Sequence, residues 1–558
     1  MQDRASRLRR VLRLAALSVP LVFLLVFFLY PLAAILVRSI QLSGLPARPS
    51  ISYVARLLWF TFWQAAVSTI LTLALGLPGA HILARYRFPA KPLLEALTTI
   101  PFVLPTLIVA TAFLALIGPN GIVNTALMVS LGSSEPPLDL QHTIWVILLA
   151  HVFYNYSVVV RIVATFWANL DPSLEEAARA LGASRWQAWV EVTLPLLLPS
   201  VAAAGSLTFL FCFTSFGVMI VLGGPRFATV EVEIYRQAVQ QLNLPRAALL
   251  SVIQLLITFA VMSAYTRLQR QISRPLAARS RQTTQRRPGT QRARLWVGTN
   301  VLLMTGLLVL PLLALLWRSF TLGGALTLRY YRALSRDPGR SVFYAAPTTA
   351  IRNSLLFAAA AVVFSLIVGT LAAYLLAGRA NSTGRLLPWL DPILVLPLGA
   401  SAVTLGFGYL IAFGRPPLNW VASPALVPVV HALIAFPFVL RSVLPALRSI
   451  RPAIREVAAV LGSPPGRTWW SVDLPLIAPA MAVGAVFAFT ISIGEFGATL
   501  LIVRSEYATI PVVLYRYLSQ PGLANVGQAL AMSTILMGIC SIAFVAIERL
   551  RIGEVGGF

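Results

Sequence analysis

Few side chains in this 558-residue chain could do chemistry. The four histidines are His81, His142, His151 and His431, the two cysteines are Cys212 and Cys540, and Lys91, in RYRFPAKP, is the single lysine. A metal site needs such ligands gathered at short spacing, whereas these histidines are dispersed and no HExxH is present. The cysteines fall inside apolar runs and can build neither a disulfide framework nor a cluster, so no metal site is expected. A nucleotide-binding loop needs a Gly-rich cradle ending in a lysine that reaches the β- and γ-phosphates. Lys91 has no glycine around it, so the chain itself is expected to bind no ATP and no other cofactor. One acid stands out: Glu495 lies within ISIGEFGATLLIV.

The rest of the chain explains why chemistry is so scarce. It is 58% hydrophobic and only 11% charged, against about 25% charged residues in soluble domains. So little charge cannot coat a globular surface, so lipid must cover it. About twelve apolar runs approach the roughly 20 residues needed to span a bilayer. They include Leu14–Val37, Leu57–Leu83, Leu97–Ile117, Ile144–Phe166, Leu196–Leu222, Ile393–Phe413 and Leu476–Val503. The expected fold is an all-α polytopic membrane protein. The formal net charge of +26 sits mainly in Arg4–Arg13, around Arg85–Lys91, and in the basic stretch from Thr266 to Arg294. Short cytoplasmic loops collect Lys and Arg, so both termini and the central linker are expected in the cytoplasm. This distribution serves topology and points away from nucleic acid.

Residues 151–236 recur at 431–516 after a shift of 280 positions without a gap. His151 meets His431, Arg161 meets Arg441, Pro195 meets Pro475, Phe216-Gly217 meets Phe496-Gly497, and Tyr235-Arg236 meets Tyr515-Arg516. At a different shift, LGLPGAHILA at 75–84 matches VGTLAAYLLA at 368–377. The chain therefore divides into a first half, 1–265, a linker, 266–294, and a second half, 295–558. With six spans each, the halves form a parallel repeat with the translocation path between them.

Each half carries a half-polar loop, at 170–199 and 450–479. Asp171 suits an N-cap and Pro172 the first helical position. Leu174, Ala177, Ala178 and Leu181 share one helical face, as do Ile454, Val457, Ala458 and Leu461. Gly182 and Gly462 can end the helices in a left-handed turn, and Ser184 can cap the next one. Small residues on one face let a partner surface approach closely.

These loops, EEAARALG…VTLP and REVAAVLG…VDLP, resemble the EAA loop of bacterial ABC-importer permeases, in which it docks into a separate ATP-binding subunit. The resemblance implies that coupling to the ATPase falls to Glu176, Ala177, Ala178, Gly182, Leu194 and Pro195 in the first copy. In the second it falls to Glu456, Ala458, Gly462, Leu474 and Pro475; Val457 replaces the first alanine, and Ser463-Pro464-Pro465-Gly466 replaces the usual turn. FTFWQA, HVFYN and FCFTSFGVMIVLGGPRFATVEVEIY resemble fused two-half permeases of thiamine and iron(III) importers, and ISIGEFGATLLIV also resembles sulfate and molybdate permeases. The implied assembly is a bacterial inner-membrane transporter subunit, not an enzyme. It would work with two copies of an ATPase that binds ATP-Mg and with an extracytoplasmic solute-binding protein, on a cargo of thiamine or iron(III). The alternative is a secondary transporter of major-facilitator type; the charged loop motif of that class is missing after span two, and ionisable residues within spans are scarce.

Four residues are candidates for the pathway or its gate: Glu495, its repeat partner Ser215, and the equivalent pair His151 and His431. An acid near the bilayer centre costs about 2.5–3.5 kcal/mol and normally faces protein. A hydrogen bond between helices is the competing role for all four. Pro101, Pro105 and Pro397 are expected to kink spans three and nine, and Asp391 to begin span nine.

Overall fold

The structure, a computed structural model, describes residues 18–40, 50–272, 285–335, 346–377, 387–414 and 416–552. The basic segment before the first span, both chain ends and linker residues 273–284 lie outside the described residues. Among those described, eleven helices are long and apolar enough to cross a membrane, or twelve if one bent pair counts as a single span.

In chain order the first half contains α1 (Ser18–Ile40), α2 (Ile51–Arg85), α3 (Thr106–Leu131) and α4 (Ile144–Asn169). The loop helix α5 (Pro172–Ala180) follows, then α6 (Arg185–Phe213), the short α7 (Gly217–Leu222) and α8 (Val230–Tyr235), and α9 (Leu244–Leu268). The second half contains α10 (Gln291–Ser319), α11 (Pro347–Ala377), α12 (Ala402–Phe413) and α13 (Leu426–Ser449). It ends with α14 (Pro452–Val460), α15 (Pro465–Gly494), α16 (Gly497–Ile502), α17 (Ile510–Leu518) and α18 (Leu523–Ala546). The sequence repeat is thus a structural one, α4–α9 returning as α13–α18.

Burial follows the repeat. The equivalent spans α4 and α13 are the most enclosed, with 78% and 72% of their apolar windows buried, whereas α1 and α10 are the least, at 28% each. Lipid covers what protein does not. α1 leans on the second half, where Pro31 and Ile35 meet Gly408 of α12 and the Tyr409 hydroxyl donates to the Phe27 carbonyl. α10 in turn packs on α2 and α3 of the first half, so each half lends its leading span to the other.

Helix contacts inside each half rest on small residues, which let backbones approach where no hydrophobic drive acts between helices. Gly76 of α2 lies under Val159 of α4, and Gly369 of α11 lies under Val439 of α13. The two glycines and the two valines are repeat partners, so the separate alignment of 75–84 with 368–377 describes a shared packing site.

Four expected spans differ from the observed ones. In place of an unbroken Leu97–Ile117, a short helix Ile100–Val103 precedes an extended Pro105 (φ −56°, ψ 143°), and α3 begins at Thr106. Pro101 and Pro105 therefore punctuate the chain rather than kink a helix. The ninth span bends by 97° between Leu390–Gly399 and α12, with Pro397 in the 3-10 turn Leu396–Gly399. The fifth and eleventh runs each split in two, at 214–216 and at 495–496. Hydropathy counts apolar side chains and is blind to backbone bonding, so it joined each pair. Asp391 lies inside the helix Leu387–Val395 instead of starting it, 3.5 Å from Arg441.

A Cβ on Gly369 would stand 2.8 Å from Val439 side-chain atoms and 3.1 Å from the Phe436 carbonyl, whereas one on Gly538 would meet nothing within 4 Å. Gly369→Leu is therefore expected to cost about 1–3 kcal/mol. It should lower the midpoint of thermal unfolding in detergent, while Gly538→Leu leaves it near wild type.

Candidate functional site

The two loops share one backbone plan of helix, left-handed glycine turn and second short helix. α5 is capped by Asp171, whose side chain accepts from Ser173 N at 3.0 Å, and Pro172 is its first residue. Gly182 (φ +98°) and Gly462 (φ +77°) occupy the left-handed conformation that ends α5 and α14. Ser184 opens the next helix in a capping box with Gln187. The second loop lacks these caps: Arg451 and Pro464 stand at the cap positions without a side-chain bond.

Each loop enters its span through one turn of π-helix, Trp189–Thr193 or Trp469–Asp473. Leu194 N–H reaches back to the Trp189 carbonyl and Leu474 N–H to the Trp469 carbonyl. Proline at 195 and 475 has no N–H to continue the α-pattern, and the wider turn absorbs that loss. The Leu-Pro steps thus have a mechanical role. Glu176 and Ala177 are exposed and Ala178 is half-buried, a pattern that Glu456, Val457 and Ala458 repeat. Beside them Leu181 is 90% and Leu461 80% exposed, leaving an apolar face open on each loop.

A tie that sequence reasoning missed braces each loop against its span. Arg455 Nε donates to Asp473 Oδ1 at 2.8 Å, and the Tyr374 hydroxyl at the end of α11 donates to Asp473 Oδ2 at 3.2 Å. At the positions equivalent to 455 and 473, Thr193 Oγ1 donates to Glu175 Oε2 at 3.4 Å, while Arg85 of α2 separately donates to the Leu170 carbonyl. In the second copy the signal was available: an acid directly before Leu-Pro, in apolar surroundings, with an oppositely charged residue eighteen positions earlier.

The four pathway candidates come together in equivalent pairs. His151 is buried between Ser68 Oγ (3.0 Å from Nδ1) and Ser215 Oγ (2.9 Å from Nε2). His431 lies between Ser492 Oγ (2.7 Å) and Thr499 Oγ1 (2.8 Å), with Nε2 at 3.5 Å from Glu495 Oε2. Glu495 caps α16, accepting from Ala498 N at 2.8 Å, from Thr499 N at 2.9 Å and from the Thr499 hydroxyl. Among the described residues, His, Cys, Asp and Glu form no group of three or more suited to a metal ion.

His151, Ser215 and Glu495 border a chamber of about 290 Å³ between the halves, lined also by Pro105, Asn155, Phe211, Glu231 and Ala402, with His431 behind Glu495. Phe216 and Phe496, repeat partners, stack across it with centroids 5.4 Å apart and planes 25° apart. Tyr235 packs on Phe216 and Tyr515 on Phe496. A pseudo-twofold axis therefore passes through this aromatic cluster. A second cavity, of about 500 Å³, shares Tyr235 and Tyr515 and is bordered by His142, Arg236 and Arg318. Glu231 was not foreseen: VEVEIY alternates like a loop edge, yet it folds as α8 inside the bundle with Glu231 1% exposed.

Comparison with known proteins gives this geometry a context. Residues 73–274 match the family described as binding-protein-dependent transport system inner membrane component. The sulfate transport system permease protein CysT of Escherichia coli (strain K12) is 33% identical over 265 residues, covering 46% of this chain and 94% of that protein. The chain belongs to this permease family. The thiamine transport system permease protein ThiP of the same organism is 27% identical over 524 residues, 89% of each chain. The probable ABC transporter permease protein y4fN of Sinorhizobium fredii is 26% identical over 579 residues, 99% of each. The permease is accordingly a multi-span inner-membrane subunit of a bacterial ABC importer, a transporter rather than an enzyme, and it works with ATPase and solute-binding partners. The major-facilitator alternative is not favoured.

In the assembled importer, Asp473→Ala should loosen α14 from α15. Uptake per ATP hydrolysed is expected to fall several-fold while ATP hydrolysis continues. The exchanged pair Arg455→Asp with Asp473→Arg should recover part of the loss, and the uptake-to-hydrolysis ratio in proteoliposomes checks both.

Proposed function

We propose that this permease imports thiamine and that its two loops, 170–199 and 450–479, each receive one copy of the ATPase subunit. The cargo reading rests on the relative named as a thiamine permease, which this chain matches over 89% of both lengths. On this reading ATP-Mg is bound and hydrolysed on the partner subunits alone. The halves 1–265 and 295–558, joined by the linker 266–294, rock about their seam between two access states, with both termini in the cytoplasm. Glu176, Ala177, Ala178 and Gly182, with Glu456, Ala458 and Gly462, form the docked surfaces; Leu194-Pro195 and Leu474-Pro475 carry the motion into the spans.

The exposed apolar faces support this reading. Leu181 and Leu461 stand almost bare beside glycines whose positive φ fixes the turn, and an apolar face projecting beyond a membrane domain calls for a partner to cover it. The brace at Arg455 and Asp473 gives the second loop a rigid link to α15 despite its missing caps.

Gly182→Asp or Gly462→Asp places a charged side chain on a backbone conformation that L-residues rarely adopt. Each is expected to abolish or sharply reduce co-purification of the ATPase, leaving membrane insertion unchanged. Full thiamine uptake by the double variant would remove the docking role. Uptake of labelled thiamine by cells carrying the complete importer tests the cargo; wild-type cells that take up none would exclude it.

A further inference from the structure

We infer that the axial chamber is a transient binding site for a flat organic cation bearing N–H donors, an inference that rests on the permease reading and assigns a substrate class to its path. The chain carries 44 Lys and Arg against 18 Asp and Glu, yet the chamber inverts that balance. Its lining includes Glu231 and Glu495 and no lysine or arginine. Glu495 spends both oxygens on the N-terminus of α16. Glu231 caps no helix: Oε1 accepts from Gln254 Nε2 at 2.6 Å, and its repeat partner is Pro511, so one half alone supplies this carboxylate.

Asn155 is the independent observation. It lines the chamber at 1% exposure and uses its Nδ2 on the His151 carbonyl (3.0 Å) and Cys212 Sγ (3.3 Å). Its Oδ1 has no protein partner. A buried acceptor left unpaired is unfavourable until a guest supplies a donor. Around these acceptors stand the rings of Tyr154, Phe211, Phe216 and Phe496, whose faces attract a cation. Acceptors, acids and ring faces together suit an aminated or heteroaromatic cation; an anion would meet two carboxyl groups and no lysine or arginine. At about 290 Å³ the chamber is near the small end of ligand cavities. Beyond the Phe216–Phe496 pair, Arg236 and Arg318 border the second cavity, and their charge opposes return of a cation on that side.

The full-length permease in lipid nanodiscs can be titrated calorimetrically with thiamine, with benzylammonium and, as a same-sized anion, with benzoate. Both cations are expected to bind and benzoate not to bind. Glu231→Gln should weaken both cations about tenfold or more, with Glu233→Gln, whose carboxylate bonds Gln237 away from the chamber, as the unaffected control. Thr214→Lys, which puts an ammonium into the chamber, should abolish cation binding; it keeps the question open to test if Glu231→Gln fails to fold. Absence of binding by both cations, or affinities indifferent to Glu231→Gln and Thr214→Lys alike, overturns the inference. Glu231-dependent benzylammonium binding in a transporter that moves no thiamine would uphold the chamber and refute the cargo. Thiamine uptake with chamber variants indistinguishable from wild type would do the reverse.

Discussion

Inside a bilayer, every backbone donor and acceptor must find its partner within the protein, and the architecture of this permease follows from where it spends its exceptions. The helix breaks at 104–105, 214–216 and 495–496 meet the same chamber, and the break at 400–401 reaches it through the neighbouring Ala402, so two come from each half. Three of the four breaks carry local side-chain bonds. Ser401 caps α12 by accepting from Thr404 N, Glu495 caps α16, and the Thr214 hydroxyl donates back to the Leu210 carbonyl. These four breaks gather at the seam. The seam is therefore both the weakest part of the helical framework and the part where polar groups can reach a passing solute.

The loops obey a related rule at the other end of the spans. A proline at each span entry would leave a carbonyl without its donor, and the π-turn in both copies shifts the pattern by one residue to accommodate it. That turn also sets Thr193 and Asp473 facing the loop helix, where they meet Glu175 and Arg455. Turn and brace, joined in the first loop by caps, make a stiff bracket from a segment of about thirty residues. Stiffness matters because a partner's movement reaches the spans only through structures that do not bend on the way.

Much of this was legible in the sequence because the relevant signals are local or repeated. Asp171, Ser184, Gly182 and Gly462 took the conformations their chemistry prefers, and an ungapped shift of 280 residues reappeared as matching helices. Prolines marked the breaks in spans three and nine, but those at 214–216 and 495–496 were not legible. FTSFG and IGEFG are embedded in apolar residues, so nothing in their composition separates a continuous helix from two helices meeting at a seam. Glu231 was hidden for the opposite reason: VEVEIY has too much charge to resemble a buried helix, and only the tertiary arrangement encloses it. His151 and Ser215 were chosen separately and proved to be bonded neighbours, as did His431 and Glu495, because equivalent positions in two copies inherit one geometry.

Fusion of the halves has a consequence that the carboxylate of Glu231 makes visible. A symmetric pair of identical subunits can place nothing singly on its axis; any acid there arrives twice, and two like charges at close range resist burial together. With Pro511 at the place corresponding to Glu231, and Ser215 at the place corresponding to Glu495, this chain sets each carboxyl group of the chamber in one half without its copy in the other. Joining the copies covalently freed each to mutate alone, and the duplicated frame became a scaffold for an asymmetric interior.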